Sequence, residues 1–446
     1  MSKVLTRKTL LFFAAIFLMS FLMTGCTGNV YTAVSGPAQE HFSQEKPEDN
    51  EVVLQDKDTD SGQTEGNNME QNNNEVNPES NASEGNTDGS AIGNENSGNE
   101  SAKVEQQQPA KGKVKVKALY LTGWTVGSDD RLNHYIELAR NTEINSYVVD
   151  IKDDDGYIGY ESQIPEARQL GTYMKKYDVD KVLKKFHDND IHIVGRLVCF
   201  KDPVYATKKP ELAVKNVNGG LWKEKTGQGD IAWLNPANRD AWPYLIAVAK
   251  EAVEKGFDEI QFDYVRFPTG GDKSLMDFGQ MDRQKYEYIN EFLAYAKKEL
   301  PGVILSADVY GIICESPKDT EDIGQYLELI GRDVGYISPM VYPSHYAVGQ
   351  VVNGVRYEKP DFDPYGVVYN SLVKAKERIS KAEGYNADVR AYLQDFTASW
   401  LGAGYYMEYG AEQVRQQIKA VYDAGYEEWI IWDALNTYSE TAFLKE

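Results

Sequence analysis

Eight short runs rich in Val, Ile, Leu, Tyr and Phe recur along the chain, at residues 117–124, 146–152, 191–200, 259–267, 303–310, 336–342, 389–396 and 428–432. Between them the apolar positions take the three-and-four spacing of amphipathic helices, over residues 131–142, 178–189, 238–256, 281–300, 322–331, 366–382 and 410–424. Runs of this length suit strands buried on both faces, and their alternation with helices through eight strands predicts a (β/α)8 TIM barrel, an α/β fold. A doubly wound open sheet uses the same alternation. No G-x-G-x-x-G follows the first run, which removes the dinucleotide-binding form of that alternative. Asn235-Pro236 followed by Asp240 predicts a helix start, and Gly256, Gly302 and Gly425 stand where helices hand over to strands. The connection over residues 202–233, after the third run, is long and contains Gly219-Gly220, Gly227 and Gly229. Long loops after barrel strands lie on the catalytic face, so it is expected to wall a cleft.

The pattern is different ahead of the first run. Residues 1–26 carry Lys3, Arg7 and Lys8, then an apolar stretch over 10–23, then Thr24-Gly25-Cys26. The stretch is too short for an ordinary membrane span and reads as an export signal. Its ending resembles the lipobox of bacterial lipoproteins, which implies lipidation of Cys26, a membrane anchor, and a protein facing outside the cytoplasm. Residues 27–110 are rich in Asn, Glu, Gly, Ser and Gln, with 17 acidic and 3 basic side chains. Ordering such a segment would cost about 1–2 kcal/mol per residue with no core in return, so it is expected to be a disordered, self-repelling tether. Residues 111–446 are left for the barrel.

Charge sharpens this division. The chain holds 47 Lys and Arg against 69 Asp and Glu, a net charge of −22, which argues against nucleic acid as a partner because a phosphate backbone must meet a basic face. The tether carries −14 of this, the signal +3 and the barrel −11. Three Cys exclude a disulfide framework; Cys199 and Cys314 read as buried small residues, with a bridge between them left open. Of five His only His345 falls at a strand end, so no His-rich zinc site can be assembled. Asp153-Asp154-Asp155-Gly156 is similar to a calcium loop, but Ile151 and Ser162 occupy its first and twelfth ligand positions and break the EF-hand pattern. No metal and no cofactor are expected.

Candidate chemistry comes from strand phase. Alternate strand residues face the lumen of a barrel, and reactive groups sit at the C-terminal strand ends. In the fourth run Gln261 and Asp263 share the inward phase, in the fifth Ser306, Asp308 and Tyr310, and in the second Asp150 and Lys152. Arg196 and Gln394 follow the same rule on the third and seventh. Barrel cores ordinarily place Val, Ile or Leu there, so a polar ring at the top of the barrel predicts a site. Asp263 and Asp308 end neighbouring strands about 4.8 Å apart, close to the separation of about 5–5.5 Å that retaining glycosidases need between nucleophile and acid. Aromatic residues at the same level, Trp124, Tyr264, Tyr310, Tyr342 and Trp432 among them, suit the apolar faces and hydroxyl rims of sugars. His345 reads either as a hydroxyl-binding group or as a structural hydrogen-bonding one.

The segment Asp258-Glu259-Ile260-Gln261-Phe262-Asp263 resembles the fourth-strand motif of α-amylase-type glycoside hydrolases, with Gln261 where those enzymes carry Arg. A nearer resemblance is to a bacterial group of glycoside-hydrolase-like barrels of unknown function, distantly related to amylases. It rests on Gly123-Trp124, Asp150-Ile151-Lys152, Trp233-Leu234-Asn235-Pro236, the run Phe262-Asp263-Tyr264-Val265-Arg266-Phe267-Pro268, Ser306-Ala307-Asp308, Met340-Val341-Tyr342-Pro343-Ser344-His345-Tyr346, Gln394-Asp395-Phe396 and Trp432-Asp433. The resemblance implies Asp263 as nucleophile and Asp308 as acid/base, with Asp395 a competitor for the second role. Arg196, Arg266 and His345 are expected to orient hydroxyls or tune the acids. Trp124, Asp150, Lys152, Tyr264, Tyr310, Tyr342, Gln394 and Trp432 complete the expected substrate-binding set.

The function expected is extracellular hydrolysis of a polysaccharide or cell-envelope glycan. A non-catalytic carbohydrate-binding or scaffold barrel is the alternative, and metal-dependent deacetylation near Asp150 and Asp153 a third reading. The acidity at the strand ends favours a neutral or cationic glycan.

Overall fold

A computed structural model describes residues 114–445 apart from residue 228. The signal, Cys26 and the tether lie outside the described residues. Each predicted run contributes one strand to a closed parallel sheet: β1 Lys117–Leu121, β2 Ser146–Lys152, β3 His192–Val198, β4 Glu259–Asp263, β5 Ile304–Tyr310, β6 Tyr336–Met340, β7 Ala391–Gln394 and β8 Trp429–Trp432. Neighbours pair in chain order, and β8 returns to β1 through Ala118 opposite Ile430. Closure leaves the barrel strands no unpaired edge.

Helices α1 Asp129–Asn141, α2 Val179–His187, α3 Trp242–Lys255, α4 Lys285–Glu299, α5 Leu327–Ile330, α6 Pro364–Ile379 and α7 Ala411–Asp423 lie between the strands. Their apolar faces cover the outward strand residues. On α2, for example, Val179, Val182, Leu183 and Phe186 are buried, each large apolar side chain contributing about 1.5–3 kcal/mol.

Two boundaries differ from the sequence expectation. Helix α3 starts at Trp242 with Pro243 in its first turn, because Asn235 spends its carboxamide oxygen on Ala237 N and the start passes to Asn238, which caps a 3-10 turn ahead of the helix. Helix α5 keeps only four residues. Asp319 accepts hydrogen bonds from the backbone of Ile323 and Gly324, and Gly324, at φ +87°, lies against Ile289 of α4, where a Cβ would come within 2.6 Å. That capped loop occupies the chain length the longer helix would have used. The handover glycines hold: Gly256 ends α3 in the left-handed region.

Polar residues fill the lumen in layers. At the N-terminal end Arg390 pairs with Glu259 and Glu428, and Ser306 donates to Glu259. One layer above, Gln261 donates to Ser338 and accepts from Tyr392. Apart from Glu259 Oε2, which accepts no hydrogen bond among the described residues, these groups satisfy one another, which is the condition for a polar interior. The third layer is the site.

Candidate active site

The cleft opens at the C-terminal strand ends and encloses about 250 Å³, near the lower end of the roughly 300–1,000 Å³ usual for small-ligand pockets. Of the fourteen side chains expected there, nine line it: Asp263, Asp308, Arg196, Tyr264, Arg266, Tyr310, Tyr342, His345 and Trp432. The register pair Phe262 and Ala307 immediately precedes the two aspartates, so strand pairing sets them side by side.

Arg196 is the centre of the arrangement. From β3, opposite Gln261 of β4, it donates from Nε (2.8 Å) and Nη2 (2.6 Å) to Asp263 Oδ2, from Nη1 to Asp150 Oδ1 (2.7 Å), and from Nη2 to Asp154 Oδ2 (2.9 Å). Burial alone would raise the Asp154 carboxyl, but Arg196 and Lys201 outweigh it and hold it well below the usual carboxylate range. Asp150, deeper and completely buried, is pushed up to about 7 by burial, which the adjacent guanidinium only partly offsets. Replacing Arg196 by Gln removes the one guanidinium that Asp150, Asp154 and Asp263 share. We expect a loss of about 3–5 kcal/mol, read as a lower urea midpoint with an unchanged slope; an unchanged midpoint would remove Arg196 from this bracing role.

Asp263 Oδ1 accepts from the backbone of Tyr264 (2.6 Å), and Tyr264 sits at φ +48°, a conformation costly for an aromatic residue. Its ring is held between Lys201 (4.6 Å) and Arg266 (5.0 Å), with Trp233 edge-on at 5.9 Å, and this packing sustains the turn that folds the backbone N–H onto the carboxylate.

Asp308 is in the opposite state. It is 2% exposed, and its Oδ1 finds no hydrogen-bond partner among the described residues. Burial first, then the charge of Asp263, holds its carboxyl well above the usual range, which favours its protonated form. His345 is lowered to about 4 by burial and is neutral there. It stands in an aromatic wall with Tyr342 (5.1 Å), Phe396 (6.2 Å) and Trp400 (6.5 Å). Trp432 stacks on Tyr120 at 3.9 Å, with the Arg196 guanidinium 5.3 Å from its ring centroid.

Five expected residues are not brought to the cleft. Asp395 gives both carboxylate oxygens to Ser439, its N–H and its hydroxyl each at 2.7 Å, in the closing segment after β8. Gln394 spends its amide on Ser344, Asp361 and the Phe396 carbonyl, tying the sixth and seventh loops together. In β2 a register shift between Asp150 and Lys152 breaks the inward phase, and Lys152, fully buried, donates to the Val198 carbonyl (2.8 Å) and forms an ion pair with Asp202 (2.9 Å). Asp150 lies beneath Arg196, also accepting from Tyr120. Trp124 is 37% exposed in the short helix Gly123–Gly127 after β1, with Lys176 over its ring.

The cleft also contains residues that the phase rule did not name. Tyr392 is in phase with Gln394 and was open to the same reasoning. Asp154 and Lys201 follow strand ends and carried no periodic signal. The long connection does form a wall: Thr226, Gly229, Asp230 and Ile231, from its hairpin Lys223–Thr226 and Gly229–Ala232, face the cleft. In the acidic tripeptide, Asp153 pairs with Lys176 and Asp154 with Arg196 and Lys201, so these carboxylates answer protein cations. Among the described residues no cluster of three or more His, Cys, Asp or Glu is arranged to hold a metal ion. Cys199 and Cys314 are buried and free.

No curated protein matches the chain. Among solved structures it is similar to a hypothetical protein from Ruminiclostridium thermocellum, 66% identical over 43% of this chain and 97% of that one, with a TM-score of 0.41. It is also similar to the glycoside hydrolase domain of PgaB (BpsB) from Bordetella bronchiseptica, 12% identical over 72% of this chain and 94% of that one, with a TM-score of 0.52, a likeness of fold. Residues 118–438, which take in every barrel strand but the first residue of β1, match the model of the family described as "Putative glycosyl hydrolase domain", and the chain belongs to that family.

Proposed function

We propose that the protein is an extracellular glycoside hydrolase that cleaves a polysaccharide or cell-envelope glycan with retention of configuration. Asp263 is the nucleophile and Asp308 the acid/base. The observation that carries this reading is the contrast between two neighbouring aspartates in one cleft, Asp263 engaged by a guanidinium and Asp308 buried, with Oδ1 unpartnered among the described residues and its carboxyl held well above the usual range. Asp263 attacks the anomeric carbon while Asp308 gives its proton to the leaving oxygen; Asp308 then takes a proton from the water that releases the sugar. Adjacent strand ends suit the short spacing this double displacement needs. Trp432, Tyr342 and the aromatic wall offer flat faces to sugar rings, and neutral His345 offers a ring nitrogen to a hydroxyl. Asp395 takes no part, since Ser439 holds both of its oxygens.

The test is incubation of the protein with a panel of polysaccharides, with Asp263→Asn as control and the anomer of the first product followed by NMR. Release of an inverted product would sink the retaining scheme, and no hydrolysis of any glycan would sink the enzyme reading.

In the same proposal the barrel is carried outside the cytoplasm on residues 27–110, anchored by lipid on Cys26. Cys26→Ser should move the protein from the membrane to the soluble fraction, and continued sedimentation with membranes would refute the anchor.

A further inference from the structure

Among the described residues, the cleft carries one buried cation that no carboxylate answers. Arg266 is 4% exposed and lines the cleft. Its Nη1 donates to the Phe267 carbonyl (3.0 Å) and to Thr269 Oγ1 (3.4 Å); Nε and Nη2 have no acceptor among the described residues. The guanidinium is packed among the rings of Trp233 (5.0 Å), Tyr264 (5.0 Å) and Tyr310 (4.7 Å), which fix its plane. Elsewhere in the cleft the charges cancel. Asp263 and Asp154 are met by Arg196 and Lys201, and burial favours the neutral form of Asp308. Asp155 and Asp230 are exposed, where water and salt screen them. A buried guanidinium is costly without an anion, and its planar fork matches a carboxylate in two parallel hydrogen bonds.

We infer that Arg266 is a specificity-determining residue that binds a carboxylate on the substrate, so that the glycan is an acidic one. This rests on the glycoside hydrolase reading and reverses the expectation drawn from the acidity of the strand ends, because those acids are already neutralised within the site. The carboxylate can come from a uronic acid or from a lactyl ether on an amino sugar.

The test is calorimetric titration of the full-length chain carrying Asp308→Asn, which slows turnover so that binding can be read. The ligands are uronic-acid oligosaccharides and peptide-free, lactyl-bearing amino-sugar oligosaccharides, each beside its carboxyl-reduced alcohol. At least one acid should bind about 10- to 100-fold more tightly than its alcohol, and the two arms tell the sources apart. In the same background Arg266→Gln should abolish that preference, and Arg266→Lys, which keeps the charge without the fork, should restore part of it. Equal binding of every acid and its alcohol, or a preference that survives Arg266→Gln in a folded protein, overturns the inference. If Arg266→Gln does not fold, the comparison of acid with alcohol on the Arg266 protein decides alone. Cleavage of neutral glycans without acid preference would defeat this inference and leave the hydrolase reading standing; acid preference without cleavage by the unmutated protein would do the reverse.

Discussion

Asp263→Asn should lower glycan turnover by roughly 10⁴- to 10⁶-fold, the scale on which removal of a covalent nucleophile acts in other enzymes. The change replaces one oxygen by an amide nitrogen and removes the group that would form the glycosyl ester. The fold should survive, because Arg196 keeps two carboxylate partners, Asp150 and Asp154, and the backbone N–H of Tyr264 can still meet the retained carbonyl oxygen. The measurement pairs single-turnover kinetics with thermal unfolding of the same preparation. Loss of activity together with collapse of the melting transition would point to a structural Asp263, and full activity would exclude it from the mechanism. A remnant rate within about tenfold of the original would also exclude covalent catalysis by this group.

Asp308→Asn should have two effects of opposite value. Activity should fall by about 10²–10⁴, the usual contribution of a positioned general acid. The deficit should shrink on an aryl glycoside whose leaving group departs without protonation. The unmutated enzyme should lose activity as pH rises through the raised Asp308 pKa, and that alkaline limb should vanish in the variant. Stability should move the other way. The folded-state pKa of Asp308 lies above its unfolded value, so the folded state binds the extra proton between the two, and stability falls as pH rises through that window. The cost is absent below the unfolded pKa and grows as pH rises from there toward the folded pKa. Asn carries no ionisable group, so its melting temperature should exceed that of the unmutated protein by a few °C near pH 7–8 and converge with it near pH 3. A variant less stable at every pH would show that burial of Asp308 is not a strain held for function.

Much of this site was legible because barrel strands obey a strict alternation. Asp263, Asp308, Arg196 and Tyr310 were placed by counting from apolar neighbours, and all four line the cleft. The same rule misplaced Lys152, because one bulge in β2 shifts the phase and a sequence carries no mark of it. It overvalued Gln394, and the family resemblance overvalued Asp395, because nothing along the chain announces that Ser344, Asp361 and Ser439 would arrive to consume their hydrogen bonds. Asp154 and Lys201 were missed because loop residues have no period to count.

The sequence by itself determined the barrel, the inward ranks of its strands and the neighbouring positions of the two aspartates, since all three follow from local periodicity and from parallel strands pairing in order. It could not determine which carboxylates would be charged. Arg196 reaches Asp263 from another strand, Asp308 is left with an unpartnered oxygen in the interior, and Arg266 is enclosed by three rings drawn from distant segments. Burial and pairing depend on which groups meet in space, and only closure of the barrel brings those groups together.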